Sequence, residues 1–294
     1  MKHLPFYIGA FTLASLWTSI AMGAPLDEIT VTAELLENNV LELPNSVTII
    51  DQAAIEQRSA QHLEDLLNLA PNVNFASGAS RGRFIQIRGI GERSEFQEPI
   101  NNSVGVVVDG IDLTGIATAA STLDVDQIEV LRGPQGTLFG ANALAGLINV
   151  VSNKPSDSLF TKLTAAVEDF GGLEWSGVIS GPASENTGYR LAVKHYASDG
   201  FSDNVFLNRQ DTNNIDETTA RARYVAQVND HLNLDFTVFV ADIENGYDAF
   251  SLDNTRQTYS DQPGVDIQKT RAVSARADYQ LTDSLSFQGL VSLA

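Results

Sequence analysis

The sequence predicts an α+β domain followed by the antiparallel strands of a transmembrane β-barrel. A leader-like segment opens the chain, glycine-rich α/β sequence follows it, and strict alternation of apolar and polar residues begins after Lys154-Pro155. In a membrane barrel the apolar residues of each strand face lipid, and the alternate polar residues face the lumen. The mean hydropathy of -0.05 is therefore compatible with a membrane protein, although it resembles that of a soluble one.

The composition excludes several classes of function. The 294 residues include 18 Lys and Arg against 37 Asp and Glu, for a formal net charge of -19, and no cysteine. Such an acidic chain has little with which to neutralise phosphates, so we expect no nucleic-acid partner. Without cysteine there are no disulfides or thiolate sites. The 4 histidines are scattered and lack zinc-site spacing, so we predict no catalytic residues, no metal, no cofactor and no enzyme.

Residues 1–23 have the form of a secretory signal peptide. A positively charged start precedes an apolar stretch from Phe6 to Trp17, and small residues surround Gly23. The apolar stretch is too short and too rich in Ser and Thr to span a bilayer comfortably, which argues against a membrane anchor. We therefore expect export, with cleavage after Gly23.

The mature chain divides into an N-terminal segment at 24–42, an α/β domain at 43–156 and barrel strands at 157–294. Apolar periodicity predicts helices over Ala53–Arg58 and Ser59–Leu69, the second capped by Ser59. The domain's predicted strands, which would form a small mixed sheet, are Ser46–Asp51, Phe84–Arg88, Val104–Val108, Ile128–Leu131 and Leu147–Val151.

Seven alternating strands are predicted in the second part, at 160–169, 173–180, 189–197, 219–228, 232–240, 272–281 and 285–293. Three connections are short, at 181–188, 229–231 and 282–284, and two are long and polar, at 199–218 and 242–270. Outer-membrane barrels alternate short periplasmic turns with long extracellular loops. The connection at 170–172 is short where a long one is expected. A soluble sandwich also alternates along its strands, but its loops would show no such order.

Three motifs follow one another in the α/β domain. They are Phe84-Ile85-Gln86-Ile87-Arg88-Gly89, then Val106-Val107-Val108-Asp109-Gly110, then a run from Ile128 to Gly140 that continues from Ala145 to Val151. Upstream lies the β-prone stretch Asp27-Glu28-Ile29-Thr30-Val31-Thr32-Ala33. In this order and spacing, they resemble the plug motifs and the TonB box of TonB-dependent outer-membrane receptors.

The resemblance implies roles for these residues. Residues 27–33 would bind TonB, and an extended segment suits the addition of a strand to a partner's sheet. The turn residues of the plug motifs would be Gly89, Asp109, Gly110, Gly133, Pro134, Gly136 and Gly140. Arg88, Glu129 and Arg132 would couple plug to barrel, with the arginines paired to barrel carboxylates because an unpaired charge inside the lumen is costly.

A ligand would meet the outward-facing connections of the plug. The candidate apices lie around 80–83, 92–99 and 114–117. They offer cations, an aromatic face, an amide and an apolar side chain, from Arg81, Arg83, Arg93, Phe96, Gln97 and Ile116. This combination suits an anionic or catecholate iron chelate and suits a sugar nearly as well.

The function that the resemblance implies is energy-coupled uptake across the outer membrane of a Gram-negative bacterium. Expected partners are TonB, outer-membrane lipids, the barrel assembly machinery and a small ligand such as an iron-siderophore complex. The alternatives are a carbohydrate or cobalamin importer, and a surface-binding or adhesion protein that does not transport.

The length departs from the family pattern. Barrels of this family have about 22 strands, whereas this chain supplies seven, so we expect a truncated gene product or a partial sequence. Only residues 24–26 lie between the predicted cleavage site and the box. We therefore expect uptake without a domain that signals to transcription.

Overall fold

The computed structural model describes residues 30–32, 38–39, 46–94, 102–116, 120–139, 142–282 and 284–294. An N-terminal domain packs against the inner face of a wall of seven strands. The predicted signal peptide lies outside the described residues, as do Asp27, Glu28, Ile29, Ala33, Phe96, Gln97 and Gly140. Within the described ranges, no helix is long and apolar enough to cross a membrane.

The N-terminal domain is built on a mixed sheet, as predicted, but the strand predicted at Phe84–Arg88 lies outside that sheet and pairs with Val73–Ser77 in a separate two-stranded sheet. Its elements are β1 (Thr30–Val31), β2 (Asn38–Asn39), β3 (Ser46–Asp51), α1 (Gln52–Gln57), α2 (Glu64–Leu67), β4 (Val73–Ser77), β5 (Gly82–Ile87), β6 (Val104–Val108), β7 (Ile111–Asp112), β8 (Val125–Arg132), α3 (Gly136–Phe139) and β9 (Gly146–Ser152). The main sheet has 5 strands in the order β3-β8-β9-β6-β7. Only β6 and β9 are parallel in it. Every residue of β6 is buried, which explains its continuous apolar run.

The helix predicted over Ser59–Leu69 is wrong in extent. α2 covers only 4 residues, and Ser59 has a φ of 48°, so it cannot cap a helix. The Asp65 carboxylate accepts the amide of His62 at 3.0 Å, and the amide of Leu63 donates to a carbonyl of a distant loop at 3.2 Å. The bond from Leu63 is tertiary, and it takes an amide that a helix beginning at Ser59 would pair within itself.

The wall contains all seven predicted strands, and most extend beyond their predicted ends. They are β10 (Phe160–Glu168), β11 (Gly172–Ser184), β12 (Thr187–Ser198), β14 (Ile215–Asn229), β15 (Leu232–Tyr247), β17 (Gly264–Thr282) and β18 (Leu285–Leu293), each antiparallel to the next. The short strands β13 (Asp203–Asn204) and β16 (Gln257–Thr258) form a separate parallel pair.

The two faces of the wall differ as the alternation predicts. Apolar side chains on the outer face are exposed, with Leu163 at 82% and Val167 at 85%. Polar side chains on the inner face, including Lys194 and Arg221, are buried. Phe239 also points inward, is 1% exposed and joins the core of the N-terminal domain.

The wall has two distinct ends. Connections of two residues, at 185–186, 230–231 and 283–284, define a short-turn end. The opposite, long-loop end carries residues 169–171 and the longer connections 199–214 and 248–263. The predicted alternation of loop length is therefore present, including its one short exception.

Candidate functional site: the interface between the N-terminal domain and the wall

Three arginines of the wall form hydrogen bonds and ion pairs with the N-terminal domain. Arg190 on β12 is the cross-strand partner of Arg223 on β14, and Arg221 lies two residues away on the same face. Arg190 binds Asp124 through two bonds of 2.6 Å, from Nε and from Nη2. Such two-point pairs are among the strongest hydrogen-bonded contacts of proteins.

The other two arginines reach further into the interface. Arg221 lies 3.2 Å from the Asp109 carboxylate and donates to the carbonyl of residue 123 at 2.9 Å. Arg223 pairs with Asp235 of β15 at 2.6 Å and donates to the Ser152 carbonyl at 3.0 Å. Because these guanidinium groups are buried, losing a partner would leave an uncompensated charge.

A second set of polar contacts lies nearer the long-loop end. Arg81, in the connection before β5, binds Glu217 of β14 at 2.7 and 2.9 Å and Glu64 of α2 at 3.2 Å. Burial opposes the charge of Arg81, but the two carboxylates raise its pKa above the ordinary value. Arg81 therefore joins two elements of the N-terminal domain to the wall.

The neighbouring Ser80 is clamped by two further strands of the wall. The Asp266 carboxylate on β17 accepts the Ser80 amide at 3.1 Å and its hydroxyl at 2.7 Å. Asn245 on β15 donates to the Ser80 hydroxyl at 2.9 Å. Asp266 also lies 3.6 Å from Arg83. The 80–83 connection is thus fixed to three adjacent strands.

The hairpin between β6 and β7 touches the wall at its tip. Asp109 and Gly110 have φ of 50° and 79°, a pair of left-handed residues that suits a two-residue hairpin turn. Ser274 of β17 donates to the Asp109 carbonyl at 3.1 Å. A Cβ at Gly110 would lie 2.9 Å from Leu290 of β18, so glycine allows both the turn and this close approach.

The N-terminal segment is docked on the main sheet. Val31 is fully buried and packs in a cluster with Val107, Leu131 and Leu147. Thr32 donates its amide to Glu129 at 2.7 Å and its hydroxyl to the same oxygen at 2.9 Å. Before Thr32, β1 pairs with β2 in antiparallel fashion.

The long loops carry a buried polar centre that the sequence did not indicate. Asp248, at the end of β15, accepts bonds of 2.7 to 2.8 Å from the side chains of Asn204, Thr212, Thr258 and Ser260. Burial alone would raise the pKa of Asp248, but these donors hold it below its ordinary value. The carboxylate thereby ties the two long loops together.

Comparison with known proteins identifies the N-terminal domain. Residues 39–147 match the family model described as the TonB-dependent Receptor Plug Domain. The chain carries the plug of a TonB-dependent receptor. Antiparallel strands that expose apolar side chains follow this plug, and the protein is a component of the outer membrane of a Gram-negative bacterium.

Individual relatives agree with this assignment. Over 230 residues the chain is 23% identical to the vitamin B12 transporter BtuB of Photobacterium profundum, a match covering 76% of this chain and 36% of that protein. Over 156 residues it is 27% identical to the pesticin receptor of Yersinia pestis, covering 52% of this chain and 23% of the receptor. The chain thus spans about a third or less of these relatives.

The same fold occurs in a solved receptor. The structure of the ferric yersiniabactin uptake receptor FyuA from Yersinia pestis superimposes with a TM-score of 0.74 at 19% identity. The match covers 84% of this chain and 40% of that receptor. It therefore includes both the plug and strands of the wall.

The arginines expected to couple plug and barrel do not contact these seven strands. Arg132 donates to the carbonyls of Pro71 and Val47 within the plug, at 3.0 and 3.4 Å. Arg88 is exposed in a left-handed turn with a φ of 54°. Burial, and then the charge of Arg88, lower the pKa of Arg132. Among the described residues neither arginine forms an ion pair with the wall.

Glu129 also lies inside the plug. Its carboxylate accepts bonds from Thr32, Gln127 at 2.7 Å and Asn149 at 3.0 Å. Among the described residues, the charged contacts between plug and wall include those of Arg81, Asp109 and Asp124. Their wall partners were visible in the sequence only as the polar residues of alternating strands.

The expected ligand contacts divide into two groups. Arg81 is 6% exposed and held by two carboxylates, so its guanidinium is engaged with Glu217 and Glu64 in this structure. The side chain of Arg83 is 25% exposed, Arg93 is exposed, and Ile116 is 37% exposed. The last three remain accessible from outside the plug.

Of the remaining motif residues, Gly89, Gly133 and Pro134 lie outside helices and strands, and Gly136 begins α3. Gly89 and Gly133 have φ of 80° and 129°, which a residue with a Cβ rarely adopts. Pro134 is exposed, and a Cβ at Gly136, the first residue of α3, would meet nothing within 4 Å. Among the motif residues that the structure describes, Gly89, Gly110 and Gly133 therefore show a conformational need for glycine.

Proposed function

We propose that this chain is the plug-bearing part of an energy-coupled outer-membrane receptor that imports a scarce nutrient. The observation that carries the proposal is the polar attachment of the plug to the wall, through Arg190, Arg221, Arg223 and Glu217. A plug seated in this way closes the lumen, so a solute passes only when the plug moves. Hydrogen bonds and ion pairs can exchange with water, which lets such an attachment be broken and remade.

The proposed source of the energy is TonB, bound at residues 27–33. The described part of this segment supports the proposal in two ways. Thr30 and Val31 already adopt β structure, the conformation that strand addition requires. β1 pairs with β2 and is not a strand of the main sheet, so a partner could withdraw Val31 and Thr32 without breaking the strand pairings of that sheet.

The proposed cargo is an iron-siderophore complex. The likeness to FyuA, a ferric yersiniabactin uptake receptor, supports this choice, and Arg83 and Arg93 supply accessible cations for an anionic chelate. With Phe96, Gln97 and Ile116 they would form the ligand-facing surface. The relation to a vitamin B12 transporter favours cobalamin as the alternative, ahead of a carbohydrate or a passive role in surface binding or adhesion.

The remaining assignments follow from the same proposal. Residues 1–23 would be removed on export, 24–42 would form the periplasmic segment, 43–156 the plug and 157–294 the first part of the barrel. The exposed apolar face of the strands would contact outer-membrane lipids after insertion by the barrel assembly machinery. The proposal includes no enzymatic activity, in keeping with relatives that are named as transporters and receptors.

Deletion of residues 27–33 tests the proposal in the gene product that contains this chain. Iron-starved cells would be given radiolabelled ferric siderophores one at a time, with labelled cobalamin and a labelled oligosaccharide in parallel. We expect one ligand to accumulate in a manner that a protonophore abolishes, and the deletion to remove accumulation while surface binding remains. Accumulation that persists unchanged after the deletion would refute energy coupling through this segment.

A further inference from the structure

We propose that Glu129 is a latch that holds Val31 and Thr32 in the plug, so that the segment is unavailable to a strand-adding partner until the latch opens. The inference deepens the proposed function, because it rests on residues 27–33 being the binding segment for TonB. It concerns the state of that segment before any partner binds.

The latch is formed by one carboxylate with donors on three sides. Oε1 accepts the amide and hydroxyl of Thr32, at 2.7 and 2.9 Å, and the side-chain amide of Gln127 at 2.7 Å. Oε2 accepts the side-chain amide of Asn149 at 3.0 Å. Glu129 is fully buried at the centre of the main sheet, where bonds to a charged acceptor are stronger than in water.

Asn149 contacts both Glu129 and Thr32 and so bridges the carboxylate and the segment that it holds. Its side-chain amide donates both to Glu129 and, at 3.3 Å, to the Thr32 hydroxyl. Thr32 is thus attached to β8 and β9, which are neighbours in the main sheet. The carboxylate is held in one orientation, so it offers Thr32 an acceptor that needs no rearrangement.

The backbone of the segment is also occupied. β1 pairs with β2 through Thr30 with Asn39 and Val31 with Asn38, and the next amide, that of Thr32, is taken by Glu129. A partner that adds a strand needs free backbone groups along an extended segment. In this state β2 pairs with one edge of Thr30 and Val31, and Glu129 accepts a hydrogen bond from the next backbone amide, that of Thr32.

The chemistry of the latch requires a carboxylate rather than an amide. The groups of Thr32, Gln127 and Asn149 that contact Glu129 are all donors. A glutamine would present its own NH2 to one of these donors and leave a buried polar group unsatisfied. Glu129→Gln is therefore a change of a few atoms that keeps the side chain's shape and opens the latch.

The test measures how accessible the segment is when no partner is present. This chain contains no cysteine, so Val31→Cys introduces one thiol at a fully buried position. Its reaction with a water-soluble maleimide would be followed in purified outer membranes that lack TonB, without ligand, and corrected for the reaction of the parent protein. The variants Glu129→Gln and Thr32→Val would be compared in this background, with Thr32→Ser and Thr137→Val as controls.

We expect Glu129→Gln to speed the labelling about tenfold, the effect of losing roughly one hydrogen bond to a charged group. Thr32→Val should have a smaller effect in the same direction, whereas Thr32→Ser and Thr137→Val should leave the rate unchanged. Thr32 lies outside the main sheet, so its variants report on the latch even if Glu129→Gln impairs folding.

Equal labelling rates in Thr32→Val and its Thr32→Ser control would overturn the latch. The result does not depend on TonB or on transport. Loss of uptake on deletion of residues 27–33, with equal labelling rates, would therefore keep the proposed function and reject the latch alone.

Discussion

Arg190 and Asp124 form a two-point ion pair in which both nitrogen–oxygen distances are 2.6 Å, with side chains 10% and 6% exposed. The pair joins β12 of the wall to the residue that precedes β8 of the plug. Asp124 has a φ of 52°, so the chain adopts an unfavourable conformation at the point where the wall holds it. The wall thereby fixes where the strand carrying Glu129 begins.

Removing one partner of this pair should loosen the plug. Asp124→Ala leaves the Arg190 guanidinium buried without its carboxylate, and the breaking of such a pair costs about 3–5 kcal/mol. We expect faster hydrogen exchange of the plug amides. Asp126→Ala is the control, because Asp126 lies two residues away with an exposed side chain. Exchange that is equal in the two variants would contradict a structural role for the pair.

The contacts of Arg81 predict that the stability of an Arg81 variant depends on pH. Arg81→Met leaves the carboxylates of Glu64 and Glu217 close together without their shared cation, so we expect the plug to be less stable at neutral pH by a few kcal/mol, on the order of a broken buried pair. Acidification should restore part of this stability, since protonated carboxyls need no counter-charge. Urea titrations at several pH values, with the exposed Arg58→Met as control, would measure it. A loss of stability that does not change with pH would contradict the charge contribution and would indicate lost packing of the Arg81 side chain instead.

The close approach of Gly110 to Leu290 predicts two separable costs. Gly110→Ala places a Cβ against Leu290 and strains a backbone with a φ of 79°, which costs about 1–2 kcal/mol for the backbone alone. Leu290→Ala in the same protein should relieve the contact and leave the backbone cost. Thermal unfolding would be measured beside Gly136→Ala, where a Cβ meets nothing. Full recovery in the double variant would contradict the backbone contribution.

The Asp248 centre predicts that the two long loops form one rigid unit. A carboxyl whose pKa is lowered by folding contributes stability that is present above its ordinary pKa of 3.8 and is lost as pH falls through the lower, folded value. We expect limited proteolysis to spare 199–214 and 248–263 at neutral pH and to cut them in Asp248→Asn. The exposed Asp253→Asn is the control, and pepsin should cut the parent loops only below about pH 3.8. Resistance of the loops to cleavage in Asp248→Asn would contradict the claim that Asp248 joins them into one rigid unit.

Much of the wall could be predicted because a strand repeats every two residues. The seven strands and the inward direction of Lys194 and Arg221 follow from alternation alone. Their full lengths could not be predicted, since the ends of β15 and β17 rise above the apolar band and carry polar residues such as Asn245 and Asp266. Only pairing with neighbouring strands reveals that these residues continue the sheet.

The site was less accessible to prediction, because its contacts join distant parts of the chain. Thr32 and Glu129 are separated by 97 residues, and Ser80 and Asp266 by 186. The motifs placed the turns at Gly89 and Gly110 correctly, since left-handed turns have a local signature. No local signature marks Arg81 as a wall contact, or marks Asp124 as a partner of Arg190.

If transport requires the plug to move away from the wall, a reversible cross-link between the two must stop it. Ser80→Cys and Asp266→Cys would place two neighbouring thiols at the positions of the Ser80 hydroxyl and of the Asp266 Cγ, whose carboxylate oxygen now accepts that hydroxyl at 2.7 Å. We expect uptake of the labelled ligand to stop in the oxidised double variant, to return on reduction with dithiothreitol, and to be insensitive to both treatments in each single variant. Full uptake through the oxidised, cross-linked protein would contradict it.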